Sequence, residues 1–322
     1  MKDNFQIPII NNLRGIAALL VCLFHFVFST KNYITNQQIL DVFYFGQYGV
    51  QLFFIISGIV IPLSLLKSNY TLLKFPTFFL KRIIRIEPPY LVALAIAILI
   101  IIIRGNVSKL NYTQIALHIG YLIPFFLDEY AWLNEVFWTL AIEFQYYLII
   151  SVLIVLLTNN TFIGRLTFYL IFLIMPFLYS NSNFFPFYAP MFLIGILWCL
   201  FFLTKINSLE FICLLVASVC VTFFKIGHTD AFIGLFTIIF IHFLKNYSNK
   251  LLLFFGNISY TMYLIHPLIG ASCINILSHK FALSWQKPIV IIVGFVVTTV
   301  SSYILYLIIE KPTQSLSKKI KY

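Results

Sequence analysis

Apolar residues fall in runs long enough to cross a bilayer, separated by short polar breaks. A membrane-crossing helix needs about 20 predominantly apolar residues. By that measure the chain predicts ten spans, at 13–30, 48–66, 88–104, 136–157, 166–180, 186–203, 209–224, 231–244, 252–276 and 288–309. The runs are apolar on every face rather than alternating, which points to helices and away from a β-barrel. The fifth and eighth are short and suit a different tilt or partial insertion. Segment 110–131 is apolar but carries Asn111, Gln114 and His118 and closes on Asp128 and Glu129. It reads as an interfacial or re-entrant helix on the outer side. The expected fold class is all-α: a polytopic integral membrane protein of about 10 helices, one domain over 1–322 with no appended soluble domain.

Composition sharpens this. The chain is 61% hydrophobic and 10% charged, against about 25% charged residues in an average soluble domain. The net charge of +11 comes from Lys and Arg placed mainly in the short breaks, as topology signals are. With the N-terminus inside, fifteen of the 21 Lys and Arg fall on the inner side, so both termini are expected to be cytoplasmic. No basic stripe interleaved with aromatics is present, which argues against nucleic acid as a partner. The five cysteines lie in or beside apolar runs without a CxxC spacing, and no HExxH occurs, so neither a disulfide framework nor a metal site is expected. The first run is long and lacks a small-residue cleavage site, and it reads as a retained span rather than a signal peptide.

Against this background a few polar residues need a reason. Arg14 and His25 lie eleven positions apart in the first span, which returns nearly to the same helix face and separates them by roughly 16 Å. Ionisable groups inside a bilayer are costly and usually face a bundle interior or a water-filled path. Glu143 is the one acidic residue clearly inside a long apolar run, with Tyr147 at i+4 on its face. Two readings stand for it: a partner that orients His25 as a base, or a structural contact between helices. Arg82 and Arg85, in KRIIRIEPPY, are either a positive-inside anchor or a phosphate clamp. The adjacent Pro88 and Pro89 are expected to break or start a helix there. Ser57 and Gly58 suggest close helix packing; Ser57 lacks the context of a nucleophile. Ser259, Tyr263 and His266 form one polar stripe, and Pro267 is expected to kink that span. Glu310 closes the last span and is expected to pair with Arg82 or Arg85.

The segments LRGIAALLVCLFH, FFIISGI, KRIIRIEPPY, FWTLAIEFQYY, GNISYTMYLIHP and IEKP occur in one order across residues 13–312. In that order they resemble the membrane-bound acyltransferase family 3, which includes bacterial O-acetyltransferases of surface polysaccharides. The resemblance implies acyl-CoA, usually acetyl-CoA, as co-substrate, a carbohydrate hydroxyl as acceptor, and a multi-pass protein of the bacterial inner membrane. It places the family's essential residues on Arg14 and His25, on Arg82 and Arg85, on Trp138 and Glu143, on Ser259, Tyr260 and His266, and on Glu310. Some relatives carry a soluble esterase-like domain. Its absence here implies direct transfer to a membrane-proximal acceptor, or a separate extracytoplasmic protein that completes transfer.

Together these readings give a working mechanism. The CoA phosphates sit near Arg82, Arg85 and Arg14. His25, supported by Glu143, is the base for the acceptor hydroxyl, with an acyl-histidine intermediate left open. Ser57, Trp138, Ser259, Tyr260, Tyr263, His266 and Glu310 support the site. The rival reading is a proton-coupled transporter or flippase of a sugar-containing substrate, with His and Glu as a relay. Against it, no repeated halves are visible. A purely structural subunit leaves Arg14, His25 and Glu143 unexplained. The sequence carries no signal of oligomeric state.

Overall fold

In a computed structural model, which describes residues 7–30, 33–158 and 161–320, all regular structure among the described residues is helical. The elements are α1 (Pro8–Phe28), α2 (Gln37–Tyr44), α3 (Gly49–Lys67), α4 (Phe75–Ile103), α5 (Tyr112–Ile119), α6 (Phe137–Leu153), α7 (Val155–Thr158), α8 (Phe162–Leu178), α9 (Phe185–Phe202) and α10 (Ser208–Lys225). They continue with α11 (His228–Leu244), α12 (Lys250–Asn257), α13 (Ser259–Ile265), α14 (Ser272–Ser278), α15 (Lys287–Leu305) and α16 (Lys311–Lys319). Seven helical stretches are long and apolar enough to cross a membrane, and α6, α8 and α11 are shorter apolar helices. These ten stretches fall on the ten expected spans, and the fifth and eighth are indeed short. The chain is a multi-pass membrane protein.

Two expectations change. The third span begins at Phe75, not near 88, because α4 runs unbroken through Pro88 and Pro89. A proline removes one helical hydrogen bond and crowds the preceding turn. Here both prolines sit inside a 29-residue helix whose flanking turns hold it together. Arg82 and Arg85 lie on a helix that runs into the membrane, as expected, but that helix continues unbroken through the prolines. Near Pro267 the helix does depart from regular form: His266–Ala271 is a wide π turn joining α13 to α14. Such turns are rare and often mark functional positions.

Helix α9 is apolar all round and buried on nearly every side, as an all-apolar helix in a bundle centre should be. It packs on α3 through Gly58 and Gly195. A Cβ on Gly58 would stand 2.2 Å from the Phe192 carbonyl oxygen, so the two backbones are already in contact. The expected close packing at Ser57–Gly58 is thus a backbone contact. Small residues at helix crossings allow this approach in bilayers.

The segment 110–131 contains the short helix α5, which does not span. Its Gln114 and His118 face inward and hold the chain that follows. Gln114 Nε2 donates to Ala131 O at 2.7 Å. The His118 ring bridges Gln114 O, 3.0 Å from Nδ1, and the Leu133 amide, which donates to Nε2 at 3.1 Å. Next along the chain, Asn134 Nδ2 donates to Leu264 O on α13 at 2.9 Å. The stretch 131–134 is therefore fixed on two sides.

His118 is fully buried, and burial holds its imidazole below the ordinary histidine value. The unfolded chain then takes up this proton first as pH falls below about 6.5. Stability is full above that pH and declines through the window beneath it, down to the folded value. Thermal midpoints recorded between about pH 8 and 5 should fall along this limb in wild type. In His118→Gln, which keeps a donor and an acceptor but no titration, the limb should be shallower. Equal slopes would show that His118 does not control it.

Candidate active site

The chemistry-bearing residues collect at two levels along α1. The first is a part-open cavity between α1, α3, α4, α6, α13 and the end of the last span. Arg14, Arg82 and Arg85 line it, with Glu143, Glu310, Ser57, Tyr147, Ser259, Tyr260 and Tyr263. Three guanidinium groups against two carboxylates leave the cavity net cationic.

Several wall residues are held by neighbours. Glu143 accepts from Ser57 Oγ at 2.7 Å and from Tyr147 Oη at 2.6 Å. The i+4 relation on α6 thus closes as a hydrogen bond. Arg82 lies over the rings of Phe78 and Tyr147, at 5.4 and 5.7 Å, a geometry that stabilises a cation away from water. Tyr260 donates to Ile86 O at 2.9 Å, tying α13 to α4. Ser259 donates to Gly256 O at 2.8 Å. Glu310 accepts from the Thr261 amide at 3.2 Å and from Gln314 at 2.8 Å. The charges of Arg14 and Arg85 both reach Glu310. Of the two expected partners, Arg85 is thus near enough for its charge to act on Glu310, and Arg14 joins it from across the cavity. Arg14 lies in the field of Arg85, Glu310, Glu143 and Tyr147.

The second level lies at the other end of α1. His25 is not deep in its helix but one turn from the C-terminal end, with its side chain 18% exposed. Its Nδ1 stands 3.0 Å from Glu135 Oε1. This corrects the expected pairing with Glu143. Glu135 precedes α6 by two residues, at the end of the bundle where His25 lies, whereas Glu143 is eight residues further along. Eight residues of helix separate the two carboxylates by roughly 12 Å. Glu143 therefore belongs to the arginine cavity, and sequence reasoning missed Glu135. Nothing in DEYAWLNEV distinguishes it from Asp128 and Glu129; only the anchoring of 131–134 does. The hydrogen bond from His25, opposed by partial burial, holds the Glu135 carboxyl below the usual carboxylate range.

The late stripe joins the two levels. Tyr263 lines the cavity, and its hydroxyl shares a 2.7 Å hydrogen bond with Thr139. Its ring centroid is 5.9 Å from that of His266, which is 5.0 Å from that of His25. His266 is fully buried, with Nδ1 2.8 Å from Tyr263 O and Nε2 without a hydrogen bond among the described residues. Trp138 stands apart from the cavity wall, behind Phe54 and against Tyr188, with ring centroids 6.5 and 6.0 Å away. It supports the wall rather than forming it.

Chemically, one end offers forked donors for an anionic group and the other an imidazole with a carboxylate partner. Among the described residues no three His, Cys, Asp or Glu side chains are grouped to hold a metal ion. A family model described as an acyltransferase domain, that of acyltransferase family 3, matches residues 7–307. Neither the comparison with curated proteins nor that with solved structures gives a match.

Proposed function

The chain belongs to acyltransferase family 3, and from that premise we propose that this membrane acyltransferase moves an acetyl group from acetyl-CoA to a carbohydrate hydroxyl. The observation that carries the reading is the division of the site along one helix. A cationic cavity surrounds Arg14, and an imidazole–carboxylate pair lies roughly 16 Å along α1, with Tyr263 and His266 between them.

Arginine forks match phosphate oxygens, so the cavity receives the phosphates of the donor. The pantetheine arm spans the distance towards His25. The acceptor oxygen bonds to the thioester carbonyl carbon while its proton passes to the His25 imidazole. The carbon–sulfur bond then breaks, and the CoA thiolate takes that proton back from the His25 imidazolium as it leaves. In this reading the arginine end and both termini face the cytoplasm, which the Lys and Arg distribution supports, and the family resemblance supports a bacterial inner membrane. The His25 end then faces envelope carbohydrate, and the charged donor never crosses the bilayer.

The test is donor binding followed by transfer. CoA should raise the thermal midpoint of the purified protein, by an amount equivalent to about 2.7 kcal/mol at a hundredfold excess over Kd. Arg85→Gln should weaken that binding about 10- to 100-fold, the scale of losing one charge-assisted contact. Radiolabelled acetyl-CoA should label envelope glycans only when wild-type protein is present. No stabilisation by CoA, with no label transferred, would favour a carrier of sugar-containing substrates.

A further inference from the structure

We propose that Glu135 is the positioning residue for His25, holding its imidazole in the tautomer that presents a bare Nε2 to the acceptor hydroxyl. This deepens the acyltransferase reading and rests on it for the chemistry, but the positioning itself is a separate claim.

The argument begins with what each atom can do. A carboxylate only accepts hydrogen bonds, so the 3.0 Å contact from Glu135 Oε1 requires a proton on His25 Nδ1. A neutral ring with Nδ1–H has its lone pair on Nε2, which is the atom a general base needs. The neighbouring His266 does not compete for that lone pair. Its Nδ1 lies 2.8 Å from Tyr263 O, an acceptor, so its proton is on Nδ1 and its own Nε2 has none to donate. When His25 takes the hydroxyl proton it becomes an imidazolium, and the Glu135 charge stabilises it at the moment it forms. The depressed carboxyl of Glu135 keeps that charge in place at neutral pH.

The placement of Glu135 is built rather than incidental. It follows Asn134, itself buried and bonded to Leu264 O, and the stretch held by Gln114 and His118. The Glu135 side chain is 59% exposed, so the pair opens towards solvent, where a hydroxyl can approach.

The experiment uses the full chain in lipid nanodiscs, with acetyl-CoA as donor and membranes of the expressing cells as the source of acceptor. Glu135→Gln keeps size and an acceptor oxygen but loses the charge and admits a flipped amide. It should lower kcat about 100-fold, the lower range for one acid–base contribution, with KM for acetyl-CoA unchanged. Glu135→Asp should recover most of kcat. Histidine nitrogen NMR, with His25→Ala to identify the His25 signals, should show the Nδ1–H form in wild type and mixed tautomers in Glu135→Gln. Wild-type kcat in Glu135→Gln would overturn the proposal. So would a fall in kcat with the His25 tautomer unchanged. If wild type transfers no acetyl yet its tautomer depends on Glu135, the positioning stands and the acyltransferase reading fails.

Discussion

His25→Ala is expected to abolish acyl transfer, by about 10³-fold or more, while leaving CoA binding intact. The two levels of the site make this separation sharp. His25 supplies the base but is not among the residues that line the arginine cavity. Removing the imidazole therefore deletes proton transfer without disturbing Arg14, Arg82, Arg85, Glu143 or Glu310. The variant should keep the thermal stabilisation given by CoA and lose transfer of label to glycans. Activity within tenfold of wild type would remove His25 from the mechanism. Double-mutant cycles add a second reading from the same proteins. His25→Ala combined with Glu135→Gln should be no worse than His25→Ala alone, because the carboxylate acts only through the ring. Glu143→Gln should instead strengthen CoA binding, since it removes a negative charge from the cavity that receives the phosphates, and should combine additively with changes at Glu135.

The ten apolar runs were legible because a span must be apolar along its whole length, and that requirement survives any packing arrangement. Arg14, Glu143 and Glu310 were legible for the converse reason, that a charge inside such a run is costly. What failed was pairing across helices. Glu143 and Glu135 differ by eight positions, and only the depth at which α6 begins decides which of them meets His25. That depth is set by Gln114, His118 and Asn134 acting on a short non-spanning segment, where hydropathy carries no register. The prolines misled for a related reason. Pro88 and Pro89 weaken a helix locally, but α4 is long enough for its flanking turns to override them, so the helix that carries the arginine pair continues through them.

Gly58→Ala and Gly195→Ala are each expected to destabilise the fold by a few kcal/mol, at or above the upper range for overpacking, and Gly58→Val should leave no folded protein. The added Cβ would meet backbone, which cannot rotate away. A Cβ on Gly195 would stand 2.1 Å from Ile55 O and 3.1 Å from Gly58 Cα. Either substitution must force α3 and α9 apart. The same separation makes room for both, so the double variant should cost clearly less than the sum of the singles. Gly105→Ala is the contrast: no atom lies within 4 Å of its Cβ position, and its positive φ of 72° leaves only backbone strain, about 1 kcal/mol. Thermal midpoints of the four alanine variants in one detergent decide the matter. Full additivity would mean that the two glycines relieve separate contacts. The effect should also reach the active site, because Ser57 precedes Gly58 on α3 and donates to Glu143 at 2.7 Å. Moving α3 outward lengthens that bond and loosens the wall of the arginine cavity, so whatever Gly58→Ala protein folds should respond more weakly to CoA than Gly105→Ala does.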